Sequence, residues 1–305
     1  MDQTVSICSI PNYALHVEFQ PALRPTPIPL PVTEPPLVFV IADTLVVSNK
    51  LTSAPMCYNL RVVETRAAAL ALAKALDLSV EQHGELSTLR EVCVAYFSTR
   101  ASQNELAAET VGLWKSMLEE MMKLVELHIR KKEGYTKEEM IEATGVADFE
   151  SRYMTQFPVR ADVFHLYSRA KHVFSEALRV YEFRDTCEKC AGRDDEGTLF
   201  GKEVLQKLGS LMNMSQKSCR DDFDCSCPEI NELVDHCRLA GSLGSRLTGA
   251  GWGGCTVSLV PETIVADFIE KVKDAYYRPR GLSEEVINGA IFATRPGSGA
   301  AVMKF

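Results

Sequence analysis

Five glycines fall within eleven residues of the segment GSRLTGAGWGGC, residues 244–255. Such density argues against regular secondary structure through most of the run, because a glycine in a helix or strand costs about 0.5–1 kcal/mol relative to alanine. The segment follows a helical pattern that opens near Ser226 and ends at Gly241, and precedes a β-type run, CTVSLVP (255–261). It reads as a helix-to-strand loop. Its core, GAGWGG (249–254), matches G-x-G-x-x-G letter for letter. A dinucleotide fingerprint needs a strand before and a helix after, and here the order is reversed. A protein-kinase glycine loop sits within a hairpin, and neither H-R-D nor D-F-G occurs in the sequence; no Walker lysine follows either. What remains is a loop in which Gly244, Gly249, Gly251, Gly253 and Gly254 let backbone amides approach a ligand, with Ser245, Arg246 and Thr248 adding donors. A tight turn with no ligand would show the same glycine count.

The rest of the chain bounds the context. At 305 residues it makes one large or two ordinary domains, with a core that needs no disulfide or metal. A net charge of −8 argues against a nucleic-acid partner. No apolar run approaches the roughly 18 residues of a membrane span, and MDQTVSICSIPNY lacks the order of a signal peptide. With its ten cysteines read as thiols, four of them in helical stretches, the chain is expected in the reducing cytoplasm, as a monomer.

Pattern reading gives two short strands at 4–8 and 13–19 around Pro11-Asn12, then a stiff proline-rich connector over 21–36. LVFVIADTLVVSNK (37–50) reads as a hairpin or two successive strands. Apolar spacing of three and four predicts helices at 57–78, 86–98, 105–132, 137–143, 158–185 and 199–222, with a polar loop at 191–197. Thr136 and Glu139 form a capping box, with Gly145 as a stop. Ser226 caps the helix that follows, with Pro228 in its first turn. A helix at 263–277 and a closing hairpin of 290–295 with 300–305 complete an α+β arrangement of helices on an antiparallel sheet.

Other constellations carry less. Cys187-x-x-Cys190 has zinc-like spacing, but Cys225-x-Cys227 is poor for a tetrahedral site, so no metal ligands are expected from the chain. His165 and His172 share one helix face and read as structural, Trp252 reads as the loop's packing anchor, and the methionines of 115–129 read as core.

GSRLTGAGWGGCTVSLVP resembles the third signature of the galacto-, homoserine, mevalonate and phosphomevalonate kinase superfamily, in the form found in galactokinases. The likeness extends along the chain. Met1-Asp2-Gln3 resembles the start of the segment holding the catalytic aspartate. FVIADTLVVSNK (39–50) and APMCYNLRVVE (54–64) resemble a fungal galactokinase strand and sugar-contacting helix. LYSRAKHVFSEALRV (166–180), LMNMSQKSC (211–219) and CSCPEINELV (225–234) resemble its C-terminal helices. The resemblance implies ATP-dependent phosphorylation of galactose at its C1 hydroxyl, with Mg²⁺. Asp2 would be the carboxylate near that hydroxyl, Tyr58 an aromatic contact to the sugar, and the glycine loop the phosphate side. It also implies a remnant of an N-terminal domain over 1–52, with strands around Asp2. A C-terminal kinase domain with a ferredoxin-like sheet would occupy 53–305, most typical over about 200–280. Two earlier signatures of the family, a sugar-binding segment and a serine- and glycine-rich ATP loop, are not in this sequence, so little activity is expected of the chain alone. An N-acetylgalactosamine kinase, or a galactose- and ATP-binding sensor acting on a transcriptional repressor, resembles the same residues.

Overall fold

The computed structural model describes residues 1–46, 53–100, 110–155, 158–191 and 201–301. The chain divides into two compact units. The first comprises Met1–Val46, Glu182–Gln216 and Ser226–Phe305, and the second Val47–Tyr181 with Lys217–Cys225. This partition differs from a single boundary at 52/53: the N-terminal residues pack with the C-terminal ones.

The chain opens with helix α1 (Asp2–Cys8), where a strand was expected. TVSIC is rich in β-branched residues, but local propensity yields to tertiary context. Here the 296–300 segment provides that context: Ala300 N–H donates to Ser6 O (2.9 Å) and Gly299 N–H to Ser9 O (2.8 Å). Strands β1 (Tyr13–Glu18) and β2 (Arg24–Pro29) then pair antiparallel. The proline-rich stretch is therefore part strand, not plain connector. Leu30 N–H donates to Asn12 O, on the β1 side (3.0 Å). Alternation then turns the nitrogens of Pro25, Pro27 and Pro29 to the outer edge, where a missing N–H costs no ladder bond. β3 (Leu37–Asp43) is one strand; the second strand expected beyond it falls largely on residues 47–50, outside the described residues.

The second unit is helical: α2 (Tyr58–Ala75), α3 (Val80–His83), α4 (Leu89–Ser98), α5 (Val111–His128), α6 (Lys137–Thr144), α7 (Phe149–Tyr153) and the start of α8 (Leu166–Ala191). α2 is its centre, burying Ala67, Ala68, Ala69 and Leu72 completely against its neighbours. The Thr136–Glu139 capping box and the left-handed Gly145 stop are both present, and Thr88–Glu91 adds a second box. The helix expected from 158 begins only at Leu166, because residues 158–165 run irregularly and Phe164 bridges Tyr135 instead. Residues 105–109 and 192–197, which carry part of the expected α5 and most of a polar loop, lie outside the described residues.

Helix α9 (Lys202–Asp221) begins in the first unit and ends in the second, and α10 (Pro228–Leu239) follows in the first. The α10 cap is Cys227, not Ser226, whose hydroxyl donates to Asn231 Oδ1 instead (2.8 Å). β4 (Gly244–Leu247) and β5 (Cys255–Pro261) form a hairpin, α11 (Val265–Val272) and α12 (Glu284–Ala290) follow, and β6 (Ile291–Thr294) closes the chain's regular structure. β6 pairs with β3; of its expected hairpin partner 300–305, residues 302–305 lie outside the described residues. The sheet order is β4-β5-β3-β6, antiparallel throughout. Read as β3-α10-β4-β5-α11-β6, with the second unit inserted after β3, this is the split β-α-β order of a ferredoxin-like sheet. One face, with Val38, Val40 and Val260, packs on α10, α11 and α12; the other, with Phe39 and Leu259, packs on Leu208 and Met212 of α9.

Candidate functional site

The glycine-rich segment divides into two parts with different physics. Gly244, Ser245 and Arg246 belong to strand β4, not to a loop. A Cβ on Gly244 would collide with the backbone of Gly209, and one on Gly209 with the backbone of Leu243. These glycines are required where strand and helix α9 touch, which accounts for Gly244 without a ligand. Ser245 is fully buried, its hydroxyl accepting from Ser258 Oγ at 2.9 Å. β4 is an edge strand, yet its outward N–H groups are taken: Ser245 donates to Asn213 Oδ1 (3.1 Å) and Leu247 to Gln216 Oε1 (2.8 Å). Arg246 turns its Nε to Leu247 O (3.0 Å).

The second part is the turn that joins β4 to β5. Thr248 N–H donates to Cys255 O at 3.0 Å and closes it. Between them Gly249 (φ 79°), Gly251 (89°), Trp252 (55°), Gly253 (139°) and Gly254 (74°) lie at positive φ. Only glycine adopts this region freely, and a bulky residue such as Trp252 there is an outlier of the kind that gathers at functional sites. A Cβ on Gly249 or Gly254 would meet nothing within 4 Å. Conformation therefore demands these glycines, and the space beside them is open. Among the described residues the N–H groups of Gly249, Gly251 and Gly253 have no hydrogen-bond acceptor in the chain. A strand, not a helix, precedes the turn, so the hairpin context that set a protein-kinase loop apart is shared. The dinucleotide reading fails on its other requirement, since a strand follows.

The far end of the turn is tied to the end of β3. Thr44 N–H and Thr44 Oγ1 both donate to Gly254 O, at 3.0 and 2.8 Å. The hydroxyls of Tyr276 and Tyr277, consecutive in a π-helical turn (Lys273–Tyr277), donate to Thr44 O (3.2 Å) and Asp43 O (2.7 Å). Burial pushes Tyr276 up to about 12 and Tyr277 higher still, so both remain donors. Nothing in the sequence pattern marks these tyrosines beyond their place in an apolar helical stretch.

Asp2 is exposed in the first turn of α1, in the same unit as the glycine turn. Tyr58 belongs to the second unit, 60% exposed at the start of α2. Its turn is held from within the same helix. Arg61, one turn on, reaches Phe223 O (2.9 Å), Asp224 Oδ2 (3.1 Å) and Met56 O (3.4 Å). Its Nε lies 3.1 Å from Glu64 Oε2, which accepts from Arg169 Nε at 2.7 Å, and Glu64 Oε1 accepts from His165 N–H at 2.7 Å. Glu64 is wholly buried, and burial draws Arg169 below its ordinary value against the pull of Glu64. The quoted motif YNLRVVE contains Arg61 and Glu64, whose i,i+3 spacing marks a helical ion pair; Arg169, 105 positions on from Glu64, carried no such mark. Among the described residues no three His, Cys, Asp or Glu side chains gather to hold a metal, and no helix is long and apolar enough to cross a membrane.

Residues 199–278 match the family described as GHMP kinases C terminal. The chain is 37% identical to galactokinase of Saccharomyces cerevisiae, over 99% of its own length and 59% of the yeast protein. It is 35% identical to galactokinase of Dictyostelium discoideum, over 99% of its length and 58% of that protein. It therefore spans a little under three fifths of the relatives it matches. The Lactococcus lactis galactokinase structure, complexed with galactose, superposes with a TM-score of 0.52 at 20% identity, covering 96% of this chain and 53% of that one, which is a likeness of fold. Residues 199–278 thus carry the match to the GHMP kinase C-terminal family, and 99% of the chain is similar to galactokinases.

Proposed function

We propose that the chain takes part in ATP-dependent phosphorylation of galactose at the C1 hydroxyl, in the cytoplasm and without an oligomeric partner. The observation that carries this reading is the turn at 249–254: five positive-φ residues with open space beside Gly249 and Gly254, in a chain similar throughout to galactokinases. Phosphate oxygens fit there, because amides without an internal acceptor supply neutral, fixed donors to anionic charge. Mg²⁺ would take its oxygen ligands chiefly from the phosphates and water, as that ion does with nucleotides. Within this reading Asp2 accepts the proton of the attacking hydroxyl, and Tyr58 lays its ring against the sugar. Thr248 adds a hydroxyl at the mouth of the turn, while Gly244, Ser245 and Arg246 serve as its strand support.

The test joins this chain to the part of Saccharomyces cerevisiae galactokinase that it does not match and measures sugar 1-phosphate formation. Kinase-level turnover with galactose, reduced at least about 10²-fold by Asp2→Asn, is expected. The chain alone should turn over little. Turnover with N-acetylgalactosamine in place of galactose would reassign the substrate. Sugar and ATP binding without turnover would replace the enzyme reading with a sensor.

A further inference from the structure

The glycine turn hangs between two fixed points. At one, Thr248 pairs with Cys255 as the hairpin closes. The other is Thr44, 4% exposed at the end of β3. A carbonyl oxygen has two lone pairs, and Thr44 occupies both on Gly254, one with its N–H and one with its hydroxyl. Val46 completes the tie: its carbonyl accepts from Gly254 N–H (3.3 Å), and its N–H donates to Thr44 Oγ1 (3.3 Å). Leu45 between them is itself at φ 60°, held by its N–H to Asp43 Oδ1 (2.9 Å). The peptide groups on either side of Gly254 are thus fixed, and the residues before it inherit their orientation.

We propose that Thr44 is the positioning residue of the glycine turn, with Tyr276 holding Thr44 in place through its carbonyl. The hydroxyl fixes where the amides of 249–253 point, and so how well they meet phosphate oxygens. That functional consequence rests on the phosphate-facing reading above; the structural part does not.

Four forms of the full chain are compared: native, Thr44→Val, Thr44→Ser and Ser258→Ala. The last removes a buried hydroxyl of the same sheet that does not touch the turn. Amide exchange is followed at Thr44 and Gly254, ¹⁵N order parameters at Gly249, Gly251 and Gly253, and binding by titration with inorganic tripolyphosphate. Loss of one buried hydrogen bond should speed exchange at Thr44 and Gly254 about tenfold in Thr44→Val. The glycine order parameters should fall from the rigid range near about 0.85 towards about 0.6, and tripolyphosphate should bind about tenfold more weakly. Thr44→Ser restores all three, and Ser258→Ala lowers stability without changing them. Unchanged exchange and order in Thr44→Val, or no rescue by serine, overturns the assignment. If the native chain ignores tripolyphosphate while exchange and order respond as expected, the positioning role stands and the phosphate reading falls. Where Thr44→Val fails to fold, Tyr276→Phe must accelerate the same amides; if it does not, Thr44 is not held as stated.

Discussion

The two units hold their candidate residues by opposite electrostatic means. Around Tyr58 the anchor is charge: Arg61 and Arg169 close on the buried carboxylate of Glu64 and tie the start of α2 to the 222–224 turn. Around the glycine turn the ties run mainly through hydroxyls, those of Thr44, Tyr276 and Tyr277. Buried charges hold firmly only while every partner is present. Buried hydroxyls are cheaper to desolvate than buried charges.

Removing one charge should therefore do more damage than removing one hydroxyl. Glu64→Gln keeps the shape but leaves two guanidinium groups, 6% and 4% exposed, without their counter-charge. A loss of about 3–5 kcal/mol is expected, read by urea unfolding with Trp114 as the reporter of its unit. A loss below 1 kcal/mol would mean that Asp224 and water already neutralise the arginines, and the contrast between units would dissolve.

Next in size come the two kinds of glycine. Gly244→Ala drives a methyl into the Gly209 backbone and should cost about 1–3 kcal/mol. Gly249→Asn meets open space and a φ of 79° that asparagine tolerates, so a cost of only about 0.5 kcal/mol is expected. Equal costs would mean that the segment is a single structural element after all. Between those two glycines falls Tyr277→Phe, which deletes the donor to Asp43 O and should cost about 1 kcal/mol, with no change in its pH dependence below about pH 10 because the native hydroxyl does not titrate there.

This division of the glycine run was only half visible in the sequence. Glycine density announced a special backbone but not which glycines answer to φ and which to a neighbour: Gly209, the residue that explains Gly244, lies 35 positions away in a helix. Helix α9 was legible because its buried Leu205, Leu208, Leu211 and Met212 recur at spacings of three and four. Helix α1 was not, since none of its residues is buried and contacts from 296–300 decide its form. Strand β2 was hidden by its prolines, whose alternation is what makes the strand compatible with them. Asp2 and Tyr58 came from resemblance alone; neither makes a contact that physical reasoning on the sequence could have found.

The smallest effect tests whether the first unit is as indifferent to pH as its hydroxyl anchors suggest. One group that tests this is His16 on β1, whose Nδ1 lies 3.1 Å from Arg184 Nη1. The guanidinium can only donate, so the ring nitrogen must accept, and it does so only when unprotonated. Burial first, then Arg184 and Arg24, lower the pKa of His16 below 6.5, while Glu18 and Glu188 oppose them. The folded state therefore binds fewer protons than the unfolded chain just below pH 6.5, and stability falls as pH drops through that value towards the lower folded pKa. Above pH 6.5 the contribution is flat. Melting temperatures of the native chain and His16→Gln, measured from pH 8 to pH 5, should diverge in slope only below pH about 6.5. Parallel curves would show that protonation of His16 is not coupled to folding, and the ribbon's stability would then be as independent of pH in this range as that of the hydroxyl-tied turn.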